Sequence, residues 1–293
     1  MTTSSNCPGI VVGVDGSAAS RAAIAWAARD AAMRNISLTL VHVAAGLGGT
    51  WPVTPPPVGF GEWQQRHGRE LIVDAMSIVE DAAPETDTEQ VKTEMYYSAV
   101  IPTLVDMSKG AEMIVVGRRG VGVFGSLLGS VSSGLVQHAH CPVAVIHHDD
   151  STMLDPTQAP ILLGVDGSPV SELATAIAFD EASRRHVDLI ALHAWSDTPL
   201  EFPDVDWSMM KTSEHEVLAE RLAGWQERYP DVTVHRHVVC DRPAQQLVDR
   251  SEAAQLVVVG SHGRGGFAGM LLGSVSAAVV QSARTPVIVA RQA

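Results

Sequence analysis

Short runs rich in apolar and β-branched residues recur along the chain, at 10–14, 38–43, 91–97, 113–116 and 143–146. Most are apolar at successive positions, not alternate ones. That pattern predicts strands buried on both faces, as in a parallel sheet covered on both sides. Between them lie segments with helical spacing, at 17–34, 62–83, 101–109 and 130–139, with Ser17 or Ser20 placed to cap the first. Alternation of strand and helix predicts an α/β fold, and right-handed crossovers bring all strand C-termini to one edge.

The chain carries this pattern twice. GVDGS stands at 13–17 and again at 164–168, and LLGSVS at 127–132 and 271–276. Between these anchors SLTLVHV (37–43) answers DLIALHA (188–194), MIVVG (113–117) answers LVVVG (256–260), and CPVAVI (141–146) answers TPVIVA (285–290). A period of about 150 residues is a domain, not a solenoid unit. The expectation is two tandem domains, 1–148 and 159–293. The polar, Pro-containing stretch HHDDSTMLDPTQAP (147–160) supplies a linker at about 149–158.

Composition narrows the function. Of 293 residues 46% are hydrophobic and 18% charged, enough apolar material for packed cores. Lys+Arg 20 against Asp+Glu 33 leaves a net charge of −13, which disfavours nucleic acid and anionic membranes as partners. Any phosphate site must be a local pocket. Cys7, Cys141 and Cys240 are too few and too irregular for a disulfide framework. No basic, apolar leader opens the sequence and no run of about 18 apolar residues occurs, so a cytoplasmic location is expected.

The glycine-rich stretches after the fourth strand of each copy carry the candidate chemistry. In the second, Gly260-Ser261-His262-Gly263-Arg264-Gly265-Gly266 leads through Gly273 to Ser274-Val275-Ser276, where a helix is predicted to begin. Glycines let the backbone turn with positive φ and approach a ligand closely. A helix start offers unpaired N–H groups and a favourable dipole to an anion. With Arg264 beside it, the loop suits a polyphosphate. No Walker A lysine is present, which excludes a P-loop NTPase. Gly120-Val121-Gly122-Val123-Phe124-Gly125 matches GxGxxG, but only one strand of the copy follows it, so a dinucleotide has nowhere to lie. No Ser–His–Asp set or paired carboxylates stand out, and no catalytic residue is assigned.

A strand ending in GVDGS, a fourth strand ending in Gly, and G-x2-G-x9-G-[ST] together resemble the ATP-binding branch of the universal stress proteins. Gly260, Gly263 and Gly273-Ser274 match the last pattern, with nine residues (264–272) inside it. The likeness occurs once per half and implies the tandem type. It implies two Rossmann-like domains, each a five-stranded parallel sheet sandwiched by helices, with ATP at the strand C-termini, accompanied by Mg²⁺ where Asp15 or Asp166 helps hold it. It also implies a homodimer that regulates stress response or growth and is not a fast enzyme.

Carried onto this chain, the first site comprises Gly13, Asp15, Val43, Gly117, Arg118, Arg119, Gly120, Val121, Gly122, Val123, Gly129, Ser130, Val131 and Ser132. The second comprises Gly164, Asp166, Ala194, Gly260, Ser261, His262, Gly263, Arg264, Gly265, Gly266, Gly273, Ser274, Val275 and Ser276. The aspartates would meet adenine or ribose, or else merely cap the next helix. Gly13 and Gly164 would let the nucleotide near the strand, or else serve packing. Backbone groups of Val43 and Ala194 would read the adenine edge. The arginines and His262 would counter phosphate charge. The first loop departs from the pattern, with eight residues (121–128) between Gly120 and Gly129.

Other features have plainer readings. His138, His140, His147 and His148 have no counterpart in the second copy, so no metal is expected, and Cys141 reads as a buried small residue. His42 and His193 recur inside apolar strands as satisfied core residues. Trp51, Pro55-Pro56-Pro57 and Phe60, with Trp195, Phe202 and Trp207 opposite them, read as loop anchors more than as a lid. Two alternatives stand beside an ATP-binding regulator: a slow ATP hydrolase or ATP-using transferase, and a scaffold that no longer binds nucleotide.

Overall fold

A computed structural model describes residues 8–44, 58–118, 128–147, 158–194, 207–240, 242–263 and 271–291, with only the backbone at 88 and 207–213. The chain divides into two compact units between His148 and Asp149. Most of the proposed linker lies outside the described residues.

The first unit runs β1 (Ile10–Gly13), α1 (Ala18–Arg34), β2 (Leu38–Ala44), α2 (Phe60–Ala82), β3 (Val91–Tyr97), α3 (Val100–Met107), β4 (Met113–Gly117), α4 (Ser130–His138) and β5 (Val143–Ile146). The second repeats it as β6 (Ile161–Val165), α5 (Pro169–Arg185), β7 (Leu189–Ala194), α6 (Trp207–Arg228), β8 (Val234–Val239), α7 (Pro243–Ser251), β9 (Leu256–Gly260), α8 (Ser274–Ser282) and β10 (Val287–Ala290). Strand order is β3-β2-β1-β4-β5 in the first unit and β8-β7-β6-β9-β10 in the second. Every strand pairing within a unit is parallel. Each is the α/β sandwich that the two-sided apolar strands predict. The chain direction reverses across the sheet between β1 and β4, and again between β6 and β9. In an open parallel sheet a ligand crevice forms at that switch point, outside the strand C-termini.

Alanine stripes set the depth of the central helices. Ala23, Ala27 and Ala31 on α1, and Ala174, Ala178 and Ala182 on α5, are buried at i, i+4 spacing. Their small side chains let each helix lie close to a sheet of Val and Ile side chains that are fully buried. Both helices are capped identically. Ser17 Oγ accepts the Ser20 N–H at 3.1 Å, and Ser168 Oγ accepts the Ser171 N–H at 3.3 Å. Both end on a left-handed residue, Asn35 (φ 52°) and His186 (φ 54°). Near those ends, buried Asp30 and Glu181 pair with Arg34 at 2.7 Å and Arg185 at 2.8 Å.

The second unit adds an aromatic core layer between α5 and α6. Fully buried Phe179 lies 6.1 Å from Trp225 and 5.7 Å from Tyr229, ring centroid to centroid. Phe60 and Trp207, read as loop anchors, instead open α2 and α6. Phe60 stacks on Trp63 at 5.7 Å, a helical i, i+3 contact. Trp51, Pro55-Pro56-Pro57, Trp195 and Phe202 lie outside the described residues.

Phe179→Ala is expected to cost about 3–5 kcal/mol, because the layer cannot close over the lost ring. Urea unfolding followed by tryptophan fluorescence measures it; a loss below about 1 kcal/mol contradicts this packing.

Candidate nucleotide site

The site begins at the turn after the first strand of each unit. Gly16 and Gly167 both adopt φ +79°, a conformation that side chains resist, and this explains the second glycine of GVDGS. Asp15 Oδ1 accepts the Ser17 N–H at 2.9 Å, and Asp166 Oδ1 accepts the Ser168 N–H at 2.9 Å. The aspartates therefore shape the turn, while Ser17 and Ser168 cap the helix. Asp15 is exposed and Asp166 half-buried. The other oxygen of Asp166 reaches the glycine loop: a methyl group on Gly263 would sit 2.6 Å from Asp166 Oδ2.

The neighbouring strand completes this side. Gly13 pairs with Val41 and Val165 with His193. Continuing each register puts Asp15 level with Val43 and Asp166 level with Ala194. His42 and His193, expected as core residues, are buried, and each Nδ1 meets a strand-end carbonyl, Val14 O at 2.8 Å and Val165 O at 2.7 Å. Beneath the turn, Ser20 Oγ donates to Gly13 O at 3.0 Å and accepts the Asp15 N–H at 3.2 Å. Ser171 Oγ instead accepts the Gly167 N–H at 3.1 Å. Ser20, expected as an alternative cap for α1, instead supports the turn, and Ser171, its partner in the repeat GVDGS-x-x-S, is not singled out from the sequence.

The loop on the other side is tied at its ends. Arg118 N–H donates to Ile146 O at 2.8 Å and Gly129 N–H to Arg118 O at 2.9 Å. In the second unit Ser261 N–H donates to Ala290 O at 3.0 Å and Gly273 N–H to Ser261 O at 2.7 Å. Gly129 and Gly273 then stand at the N-caps of α4 and α8 with no side-chain cap. The first-turn N–H groups of Ser130, Val131 and Ser132, and of Ser274, Val275 and Ser276, have no acceptor within their helices. Ser130 and Ser274 are exposed at that end. Arg118 is half-buried, as is His262, whose Nδ1 lies 3.0 Å from Ser261 Oγ. Arg119, Gly120, Val121, Gly122 and Val123, and Arg264, Gly265 and Gly266, lie outside the described residues.

Two expectations need revision. Ser132 and Ser276 do not present their hydroxyl protons to a ligand. Ser132 Oγ donates to Gly117 O at 2.8 Å and Ser276 Oγ to Gly260 O at 2.5 Å, pinning each helix start to a strand end. The described loop glycines, moreover, are not there for positive φ. Gly129 (φ −64°) and Gly273 (φ −70°) are extended, and Gly117, Gly260 and Gly263 have no positive φ. Close approach explains Gly117: a methyl there would lie 2.6–2.8 Å from Ala19, backbone included. At Gly260 the nearest atoms, on Val170 and His262, stand at 3.3 Å. Gly164 is likewise hemmed in by Leu247 at 3.2 Å and Val259 at 3.3 Å, whereas Gly13 meets only Val116 at 3.5 Å.

No group of three or more His, Cys, Asp or Glu among the described residues is arranged to hold a metal. Burial pushes the Cys141 thiol up to about 12, consistent with a packed residue and not a nucleophile. No described helix is long and apolar enough to cross a membrane.

This architecture has close relatives. The universal stress protein family model matches residues 9–147 and again 159–291. A universal stress protein of Mycobacterium tuberculosis (strain H37Rv) is 59% identical over 294 residues, covering 100% of this chain and 99% of its own. One of Mycobacterium bovis is 59% identical over 286 residues, covering 97% of each. The crystal structure of a universal stress protein from Archaeoglobus fulgidus superposes with a TM-score of 0.71 at 20% identity, over 98% of this chain and 99% of its own.

Gly117→Ala is expected to cost about 1–3 kcal/mol, since the added methyl meets the backbone of α1. Gly13→Ala should stay within about 1 kcal/mol of the parent, having only ordinary contact. Chemical unfolding of both variants tests this; equal costs contradict the assignment.

Proposed function

The chain belongs to the universal stress protein family, with one family domain in each half, and from that premise we propose that it is a nucleotide-dependent regulator that holds ATP in each unit. One observation carries the reading. At the switch point of each sheet, an aspartate turn faces a helix start whose first-turn amides have no acceptor within the helix. Asp15 and Asp166 take the sugar or base side, with the backbone of Val43 and Ala194 beside them. Ser130, Val131, Ser274 and Val275 offer amides to the phosphates, with Arg118 and His262 adding donors. Mg²⁺ accompanies the triphosphate, adding charge that the lysine-free cradle lacks.

Turnover is no part of this role. Phosphoryl transfer needs a positioned base and water. Among the described residues the carboxylates at each turn are a single aspartate, already shaping the backbone. Slow hydrolysis at most is expected, well below about 1 per second. A cytoplasmic homodimer signalling through protein partners completes the proposal, and sedimentation velocity tests the dimer.

Millimolar ATP is expected to raise the melting temperature by several degrees. A ligand at about 100 times its Kd stabilises by about 2.7 kcal/mol. Asp166→Ala should lose part of that shift, and the lost turn bond should lower the ligand-free melting point by no more than a few degrees. An unchanged melting point with ATP, ADP and AMP removes the proposal.

A further inference from the structure

The two units share the glycine turn but not what covers it. In the first, Gly16 is covered by Leu71 of α2, whose Cδ2 would stand 2.6 Å from an added methyl. In the second, Gly167 is covered by the guanidinium of Arg221 from α6, which an added methyl would overlap at its central carbon and both Nη atoms. Arg221 Nη1 donates to Gly167 O at 3.0 Å and is half-buried. An apolar contact at one site is thus a cation at the other.

Several arginines of this acidic chain are held by carboxylates. Arg21 pairs with Asp74, and Arg34, Arg184 and Arg185 with Asp30, Asp180 and Glu181 at 2.7, 2.9 and 2.8 Å. Among the described residues no carboxylate pairs with Arg221, and its one acceptor is a backbone carbonyl. On the same helix Glu214 Oε2 faces His193 Nε2 at 3.1 Å, and in the covered turn Asp166 Oδ1 accepts the Ser168 N–H. A guanidinium has five donors in a fixed fork suited to phosphate oxygens, and one carbonyl leaves most of the fork unused.

We propose that Arg221 is a ligand-contacting residue of the second site, taking the phosphate that adjoins the sugar of the bound nucleotide, beside the Asp166 turn, and that Leu71 leaves the first site without this contact. The inference rests on the nucleotide reading above and makes the two sites unequal toward charged ligands. The second discriminates more strongly between a nucleotide and its uncharged nucleoside.

Calorimetric titration of the full chain with ATP and with adenosine tests it. Arg221→Leu is expected to weaken ATP about tenfold at one of the two sites and to leave adenosine unchanged, the effect of losing one charge-assisted contact. Arg221→Gln keeps a donor for the Gly167 carbonyl but drops the charge, and should lose ATP affinity likewise. Unchanged ATP affinity in Arg221→Leu overturns the proposal while leaving nucleotide binding itself in place. Equal weakening of ATP and adenosine, or full recovery in Arg221→Gln, overturns it in favour of a carbonyl cap. A parent protein that takes up neither ligand overturns this inference together with the reading beneath it.

Discussion

Each unit depends on how the start of one helix is fastened to the end of one strand. Ser132 and Ser276 give their hydroxyl protons to the last carbonyls of β4 and β9, and the Gly129 and Gly273 amides close the loops behind them. A buried carbonyl without a partner is costly, so these bonds hold the helix start at one place. The remaining first-turn amides then have no acceptor within the helix and face the switch point of the sheet. The same fastening that completes the fold leaves a set of donors for an anion. Structure and candidate site are one arrangement.

The central helices impose a second constraint on the same edge. Alanine stripes bring α1 and α5 down onto the sheet, and glycine at the end of β4 is what allows the first turn of α1 to pass. The turn that enters each helix must double back within a few residues, which demands positive φ at Gly16 and Gly167 and places the aspartate opposite the loop. Where the units must do the same thing, they do it with the same residues. Where the described residues diverge, at Leu71 and Arg221 and at Glu214 beside His193, the difference lies near the glycine turn and leaves the strand order unchanged.

Much of this was legible beforehand. Two-sided apolar strands and intervening helical periods identify a parallel sheet, and a motif written twice identifies two of them. That all strand C-termini share one edge follows from parallel pairing alone. What the sequence conceals is the division of labour inside a motif. Both serines of Ser-x-Ser look equally fit for a phosphate, yet helix geometry turns the first outward and the second toward a strand carbonyl. The glycines of the loop look like turn formers, yet Gly117 is needed for helix approach and the positive φ falls on Gly16 and Gly167. No motif marks Arg221 as the residue that answers Leu71. Only the shared contact with the glycine turn reveals the correspondence.

The central claim is that the first-turn amides of α4 and α8 receive the phosphates. Amide nitrogen–proton spectra of the full chain, recorded during titration with ATP, test it residue by residue. The account predicts the largest shifts at Ser130, Val131, Ser274 and Val275, with Asp15 and Asp166 following. Shifts confined to the far strands β3 and β8, with those amides unmoved at saturation, would contradict it.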